Sequence, residues 1–214
     1  KYTDNSKVLM CTNPDCAAKK LARFTHFVSR KCMNIDGLSE RTLEALISNN
    51  LIKNFRDIYH LKEHVGKLCT LDGMGKKSVE NLINSVEKSR DVKLENFIAA
   101  LGIDGVGLSV AKTISDYFNG DFVEFNNAFW NKFDFTKLND IGSTTAKSID
   151  VYMANHSEDV YNLASEMHFL QHESKKIENN PFIGKNICVT GKLNNFTRDS
   201  INEKIASLGA KAVS

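Results

Sequence analysis

The stretch Leu71-Asp72-Gly73-Met74-Gly75-Lys76-Lys77-Ser78-Val79-Glu80-Asn81-Leu82-Ile83-Asn84-Ser85-Val86 reads as a tight turn that launches an amphipathic helix. Val79, Leu82, Ile83 and Val86 fall at i, i+3, i+4 and i+7, one face of a 3.6-residue period. Three more segments repeat the plan of the turn: Ile35-Asp36-Gly37-Leu38-Ser39, Ile103-Asp104-Gly105-Val106-Gly107 and Leu138-Asn139-Asp140-Ile141-Gly142. Aligned on their third positions, the four lie 36, 32 and 35 residues apart. Leu43, Leu46 and Ile47 give a helical face after the first turn, and Val110, Ile114, Tyr117 and Phe118 after the third. Ala146, Ile149 and Met153 do so after the fourth, while Leu94, Phe97, Ile98 and Leu101 mark a helix before the third. The repeating unit is therefore helix, tight turn, helix.

A chain that reverses between two helices in about five residues visits positive φ, which glycine does without strain. A second glycine removes any Cβ between the backbone and whatever approaches the turn. The following helix begins with amides that lack intrahelical partners and carry about half a positive charge. Such a turn is an anion site, with phosphate the obvious candidate. The candidate contacts are Gly37 and Arg41 in the first repeat and Gly73, Gly75, Lys76 and Lys77 in the second. In the third they are Gly105, Gly107, Ser109 and Lys112, and in the fourth Gly142, Thr144, Thr145 and Lys147. Met74 and Val106, between the paired glycines, would plug the turns into the core. The first repeat has Ser39 for the second glycine; the fourth has Asp140 for the first, which would repel a phosphate. The competing reading is a set of plain helical corners with capping glycines, serving as a protein–protein module. Four spaced copies, two with paired glycines, favour the phosphate reading and resemble the helix–hairpin–helix DNA-binding motif.

The chain has 214 residues, 42% hydrophobic and 25% charged, with two prolines, which suits a folded cytosolic type of protein. No run approaches the roughly 18 to 20 apolar residues of a membrane span, so no membrane partner is expected and the expected location is cytoplasmic. The net charge of +2 by itself argues against a simple polycationic nucleic-acid binder, but it conceals a partition. Residues 1–31 carry +5, 32–147 carry −2, 148–174 carry −5 and 175–214 carry +4. Hairpins that bind phosphate through amides and helix dipoles need little net charge. The acidic stretch, with Val151, Tyr152, Val160, Tyr161, Leu163 and Met167 interspersed, predicts a long helix with one solvent face. Phe122, Phe125 and Phe129 are spaced for a helix, so the aromatic concentration around them reads as core in preference to base-stacking surface.

Five cysteines, an odd number, argue against a disulfide framework in a chain of this composition. Cys11 and Cys16 have four residues between them, with Pro14 and Asp15 favouring the turn that would bring the thiols together. Tetrahedral zinc takes four ligands. Two free thiols and a self-contained set of Cys11, Cys16, His26 and Cys32 are both open on the residues alone. Cys69 and Cys188 read as core residues.

The run Cys11 to Cys16, followed by His26-Phe27-Val28-Ser29-Arg30-Lys31 and the Ile35-Asp36-Gly37-Leu38 turn, resembles the zinc-finger to helix–hairpin–helix junction of bacterial NAD-dependent DNA ligases. The spacing of the four turns resembles the same family, and the resemblance covers essentially all 214 residues. It implies that Cys11 and Cys16 are the second half of a four-cysteine zinc site whose first half lies upstream, and that Cys32 is not a ligand. It implies a double-stranded, nicked DNA partner, upstream catalytic domains of the same polypeptide, and a monomer in the bacterial nucleoid that serves replication and repair. NAD and magnesium would act in the parent enzyme only. The family forms a lysyl-adenylate at a Lys-x-Asp-Gly motif, and none of the Asp-Gly pairs here has lysine in that place, so the chain alone is expected to be inactive. A non-enzymatic DNA-repair scaffold of the same modules is the alternative.

Toward the C-terminus, Gly184-Lys185-Asn186-Ile187-Cys188-Val189-Thr190-Gly191 predicts a buried strand, and Thr197 an N-cap for a helix faced by Ile201, Ile205 and Leu208. Gly209 follows as a C-terminal cap and residues 211–214 start another extended run. This resembles the first part of a BRCT domain. The expected architecture is mainly α: a partial zinc-finger arm at 1–31, a tandem helix–hairpin–helix domain (a double pair) at 32–170, a linker at 171–181 and a truncated α/β BRCT unit at 182–214.

Overall fold

The computed structural model describes residues 2–3, 6–9, 13, 16–170, 181–191, 193 and 196–213. The chain divides into two units, Lys1–His172 and Glu173–Ser214. The expected linker residues 171–180 lie outside the described residues, as does Cys11.

The first unit is helical, with α1 (Ala17–Val28), α2 (Glu40–Ser48), α3 (Val65–Leu68), α4 (Lys76–Lys88), α5 (Leu94–Ala100), α6 (Leu108–Tyr117), α7 (Phe122–Trp130) and α8 (Ser143–Ala164). A short antiparallel pair, β1 (Tyr2–Thr3) with β2 (Ser6–Leu9), precedes them. The four predicted turns join α1 to α2, α3 to α4, α5 to α6 and α7 to α8. The front of the second repeat differs from the others: Arg56–His64 is a 3-10 helix and α3 has one turn only. Ile58 and Leu61, three apart, are both fully buried, which suits three residues per turn.

The faces read from the periodicity make one core. Leu43, Leu46, Leu82, Phe97, Ile98, Ile114, Ile149 and Met153 are at most 1% exposed. Burying one such side chain contributes roughly 1.5–3 kcal/mol. Phe122, Phe125 and Phe135 are buried as well, whereas Trp130 at the end of α7 is 62% exposed. Tyr117, expected inside, is exposed, because α6 turns Ala111, Ile114 and Ser115 inward instead. Residues 17–28, assigned by sequence to the arm, form α1, and Phe24, Phe27 and Val28 are buried in the hairpin core.

The repeats pack as two pairs. In the first pair the Asp36 amide donates to Ser85 Oγ at 2.8 Å, and Gly37 lies against Leu82 of α4. In the second, Gly105 lies against Thr145 of α8. Among the described residues the pairs meet at several places. His26 Nε2 is 2.8 Å from the Ala99 carbonyl oxygen, and Asn96 Nδ2 donates to the Lys31 carbonyl. Elsewhere β3 (Asp91–Val92), after α4, pairs in parallel with β4 (His168–Phe169), after α8.

Beside β3, Arg90 Nη1 donates to Glu166 Oε2 at 2.8 Å, Nη2 to the Tyr59 carbonyl at 3.0 Å, and Nε to Glu87 at 2.9 Å. Arg56 and His60 reach the other Glu166 oxygen. Burial raises the Glu166 pKa, but the hydrogen bonds from Arg90, Arg56 and His60 outweigh it and hold the carboxyl at about 2. One member of the acidic stretch thus serves as a lock between pairs.

In the second unit β5 (Asn186–Cys188), α9 (Arg198–Ser207) and β6 (Lys211–Val213) form a parallel βαβ turn. Thr197 Oγ1 accepts from the Ser200 amide, the predicted cap, and Gly209 has φ +76°. The strand β5 is not buried as expected, and Cys188 is exposed. Within this unit β5 has one strand neighbour among the described residues, and Asn186 and Cys188 on one of its faces are both exposed. No helix among the described residues is long and apolar enough to cross a membrane.

Candidate functional site

The four turns share one geometry. The third position has positive φ in every copy: +90° at Gly37, +76° at Gly73, +78° at Gly105 and +64° at Asp140. Asp140 adopts the left-handed conformation that short polar side chains tolerate, so the fourth turn closes without glycine there. First and fourth positions are apolar and plug the turn, with Ile35, Leu38, Met74, Ile103, Val106, Leu138 and Ile141 buried. In the last three turns the fourth-position amide donates back to the first-position carbonyl, at 3.1, 2.9 and 3.3 Å.

The fifth position behaves differently. Gly75, Gly107 and Gly142 have φ of −69°, −83° and −82° with extended ψ, a conformation open to any residue. A Cβ built on any of the three meets no atom within 4 Å. Neither backbone strain nor internal packing asks for glycine there. Each is the N-cap of its helix, and no side chain caps α4, α6 or α8, nor is there an acid in their first turns. Their leading amides are left to solvent or to a ligand. Oriented amides and the helix dipole together suit an anion.

Around these ends Lys76, Lys77, Ser109, Lys112, Thr144 and Lys147 are exposed and Thr145 is half-buried. The third and fourth turns come together, since a Cβ on Gly105 would stand 3.0 Å from Thr145 Oγ1. Ser143, the first residue of α8, adds an exposed hydroxyl that the sequence reading passed over. Its signal was its place directly after the fifth-position glycine.

The first turn departs from the rest. Ser39 caps α2, its Oγ accepting from the Thr42 amide at 3.2 Å, and Glu40 places a carboxylate in the first turn. Arg41, a predicted contact, pairs with Asp72 of the second turn, with both side chains exposed. Gly37 is exposed at the turn.

Of the two metal candidates, Cys16 is the half-buried N-cap of α1. No group of three or more His, Cys, Asp or Glu side chains suited to a metal occurs among the described residues. The self-contained set with His26 and Cys32 does not form. Ten residues of helix put His26 about 15 Å from Cys16, too far for one ion. Cys32 is 4% exposed with Sγ 3.6 Å from His26 Nε2, and burial pushes its thiol pKa up. Cys69 is half-buried against the core.

Paired, glycine-turned hairpins make the first unit a tandem helix–hairpin–helix fold. Residues 30–88, holding the first two turns, match the family described as SAM-like helix-hairpin-helix tandem. Over nearly its whole length the chain is a homologue of bacterial proteins named DNA ligase. It is 38% identical to one from Lachnoclostridium phytofermentans over 218 residues, covering 99% of this chain and 32% of the relative. It is 39% identical to one from Listeria innocua, over 94% of this chain and 30% of the relative. The figure for one from Bacillus subtilis is 35%, over 95% and 31%. The chain thus spans about a third of the length of the curated relatives it matches.

Proposed function

We propose that this chain is the duplex-gripping part of a bacterial NAD-dependent DNA ligase. It holds nicked double-stranded DNA through minor-groove-flanking phosphates while other domains of the polypeptide join the 3′-hydroxyl and 5′-phosphate, in replication and repair. The observation that carries the reading is the set of uncapped helix ends behind Gly75, Gly107 and Gly142, where the fold leaves room for a close neighbour and, among the described residues, supplies none. Amides on phosphate fix position along a duplex without reading its sequence, so binding is indifferent to base sequence. The names of the relatives favour a ligase over a non-enzymatic scaffold.

In the same reading NAD and magnesium serve the adenylation chemistry of the parent enzyme, which works as a monomer in the bacterial nucleoid. Zinc would be held by Cys11 and Cys16 with two cysteines from outside this chain. The thiol of Cys16, at the start of α1, is of the right chemistry, and the ion would tie the chain ahead of α1 to the hairpins. The second unit is the first part of a BRCT domain.

Titration of a labelled nicked duplex at several salt concentrations tests the reading. Each phosphate engaged contributes about −0.9 to the log–log slope. Three turns predict a slope of about −3 or steeper, and binding without salt dependence would overturn the proposal.

A further inference from the structure

Arg23 and His26 lie three residues apart on α1, away from the buried Phe24, Phe27 and Val28, and both are exposed. Neither belongs to a turn, yet both line a cavity of about 540 Å3 whose opposite wall is the third turn, Gly102 through Gly107. Ala22, Phe55, Ile103 and Val106 supply apolar lining, and Asp104 is the one carboxylate on it.

Both side chains are held by the fold. The Nε2 proton of His26 goes to the Ala99 carbonyl oxygen, which fixes the ring. Gly102, with φ +69°, would otherwise place a Cβ 3.6 Å from His26 Cδ2. The guanidinium of Arg23 lies 5.6 Å from the centre of the Phe55 ring and hydrogen-bonds Tyr152. Lys19 stands one turn ahead on the same face of α1, and Arg30 just beyond its end.

We propose that α1 forms the second wall of a DNA-strand track, in which the strand anchored at the third turn runs on across Arg23 and His26. The proposal rests on the DNA-binding reading and extends it to a helix outside the hairpin turns. The alternation on the wall matches that of a sugar–phosphate backbone: side-chain-free amides, a fixed guanidinium and an imidazole for phosphates, apolar surface for deoxyribose. A guanidinium already stacked on an aromatic ring loses less freedom on binding phosphate than a mobile lysine does.

The test compares Arg23→Met, His26→Gln and Gly107→Val in the 214-residue chain, titrating the same nicked duplex over a range of salt. Methionine keeps an apolar stem over Phe55, and thermal melts check that each variant folds. The expected result for Arg23→Met is about tenfold weaker binding, with the salt slope reduced by about 0.9. Combined with Gly107→Val, the loss should be smaller than the product of the two single losses, as for neighbours on one strand. Arg23→Met and His26→Gln with wild-type affinity and slope, beside a weakened Gly107→Val, would overturn the α1 track and leave the turn reading standing. A weaker Arg23→Met with an unchanged slope would also overturn it, since the arginine would then act through packing. Wild-type protein that shows no salt-dependent binding would overturn the DNA reading itself.

Discussion

In the first hairpin Ser39 folds its hydroxyl onto the Thr42 amide and Glu40 adds a carboxylate to the first turn of α2. In the third, Gly107 holds the same place with nothing to fold back, and the first turn of α6 has no acid. The backbones are alike: positive φ at Gly37 and Gly105, then extended ψ at Ser39 and Gly107. The fold therefore dictates the third position and the two apolar plugs, and leaves the fifth position open. What occupies the fifth position decides whether the helix consumes its own leading amides or presents them. Asp121 on α7 and Thr197 on α9 cap their helices in the ordinary way, with a side-chain oxygen on a leading amide.

The sharpest way to break this comparison is to close the open ends. Gly75→Val with Gly107→Val should cost roughly 3 kcal/mol of affinity for a nicked duplex, at about 1.5 kcal/mol for each charge-assisted contact group removed. Melting temperature should barely move, because neither site has a neighbour within 4 Å. Fluorescence anisotropy and a thermal melt read the two effects separately, and a variant that unfolds would show the glycines to be structural.

Next in size is the lock that joins the second and fourth hairpins but not the first and third. Glu166→Gln should lower unfolding free energy by about 3 kcal/mol, the worth of a carboxyl shifted from 4.5 to about 2. The folded value lies below the unfolded one, so this contribution is complete above pH 4.5 and fades as pH falls toward 2. His60 acts in the opposite sense. Its hydrogen bond to Glu63 raises its pKa, so its share is complete below pH 6.5 and lost as pH rises through the folded value. Urea melts across pH, wild type against Glu166→Gln, should converge at the acid end; parallel curves there would reject the lock.

Gly105→Ala should cost about 1–2 kcal/mol, since alanine at φ +78° is strained and its Cβ would meet Thr145 Oγ1 at 3.0 Å. Thr145→Ala should recover the packing share of that loss and leave the φ share. The smallest effects belong to the first hairpin. Ser39→Ala should lower stability by about 1 kcal/mol with DNA affinity unchanged. Ser39→Gly with Glu40→Lys should make that hairpin behave like the third, tightening binding a fewfold and steepening the salt slope by about 0.9. An unaltered slope would mean that the first turn faces away from the duplex.

Much of this was written in local patterns. The spacing of the turns, the buried faces of α2, α4 and α8, and the Thr197 cap all follow from residues within a turn or two of one another. Even Ser39 was visible as a departure, although its hydroxyl could be assigned to the Thr42 amide only with the helix start in hand. What was not legible depends on distant partners. Arg90 and Glu166 are 76 residues apart, and neither has a local reason to be half-buried. Arg23 and His26 read as part of a basic arm until α1 is placed beside the third turn. Tyr117 fitted the helical stripe, but a stripe fixes a face only to within about one residue, and α6 settled with Ser115 inside.

The lock at Glu166 also has a mechanical side. It sits just beyond the C-terminal end of α8, whose 22 residues make a rod about 33 Å long with Gly142 at the far tip. With that rod pivoting at its locked end, a tilt of about 5° would carry the tip roughly 3 Å, the whole length of a hydrogen bond. Four side chains clustered at one end thus set the reach of a turn at the other, and loosening them would blur that reach without touching the turn itself.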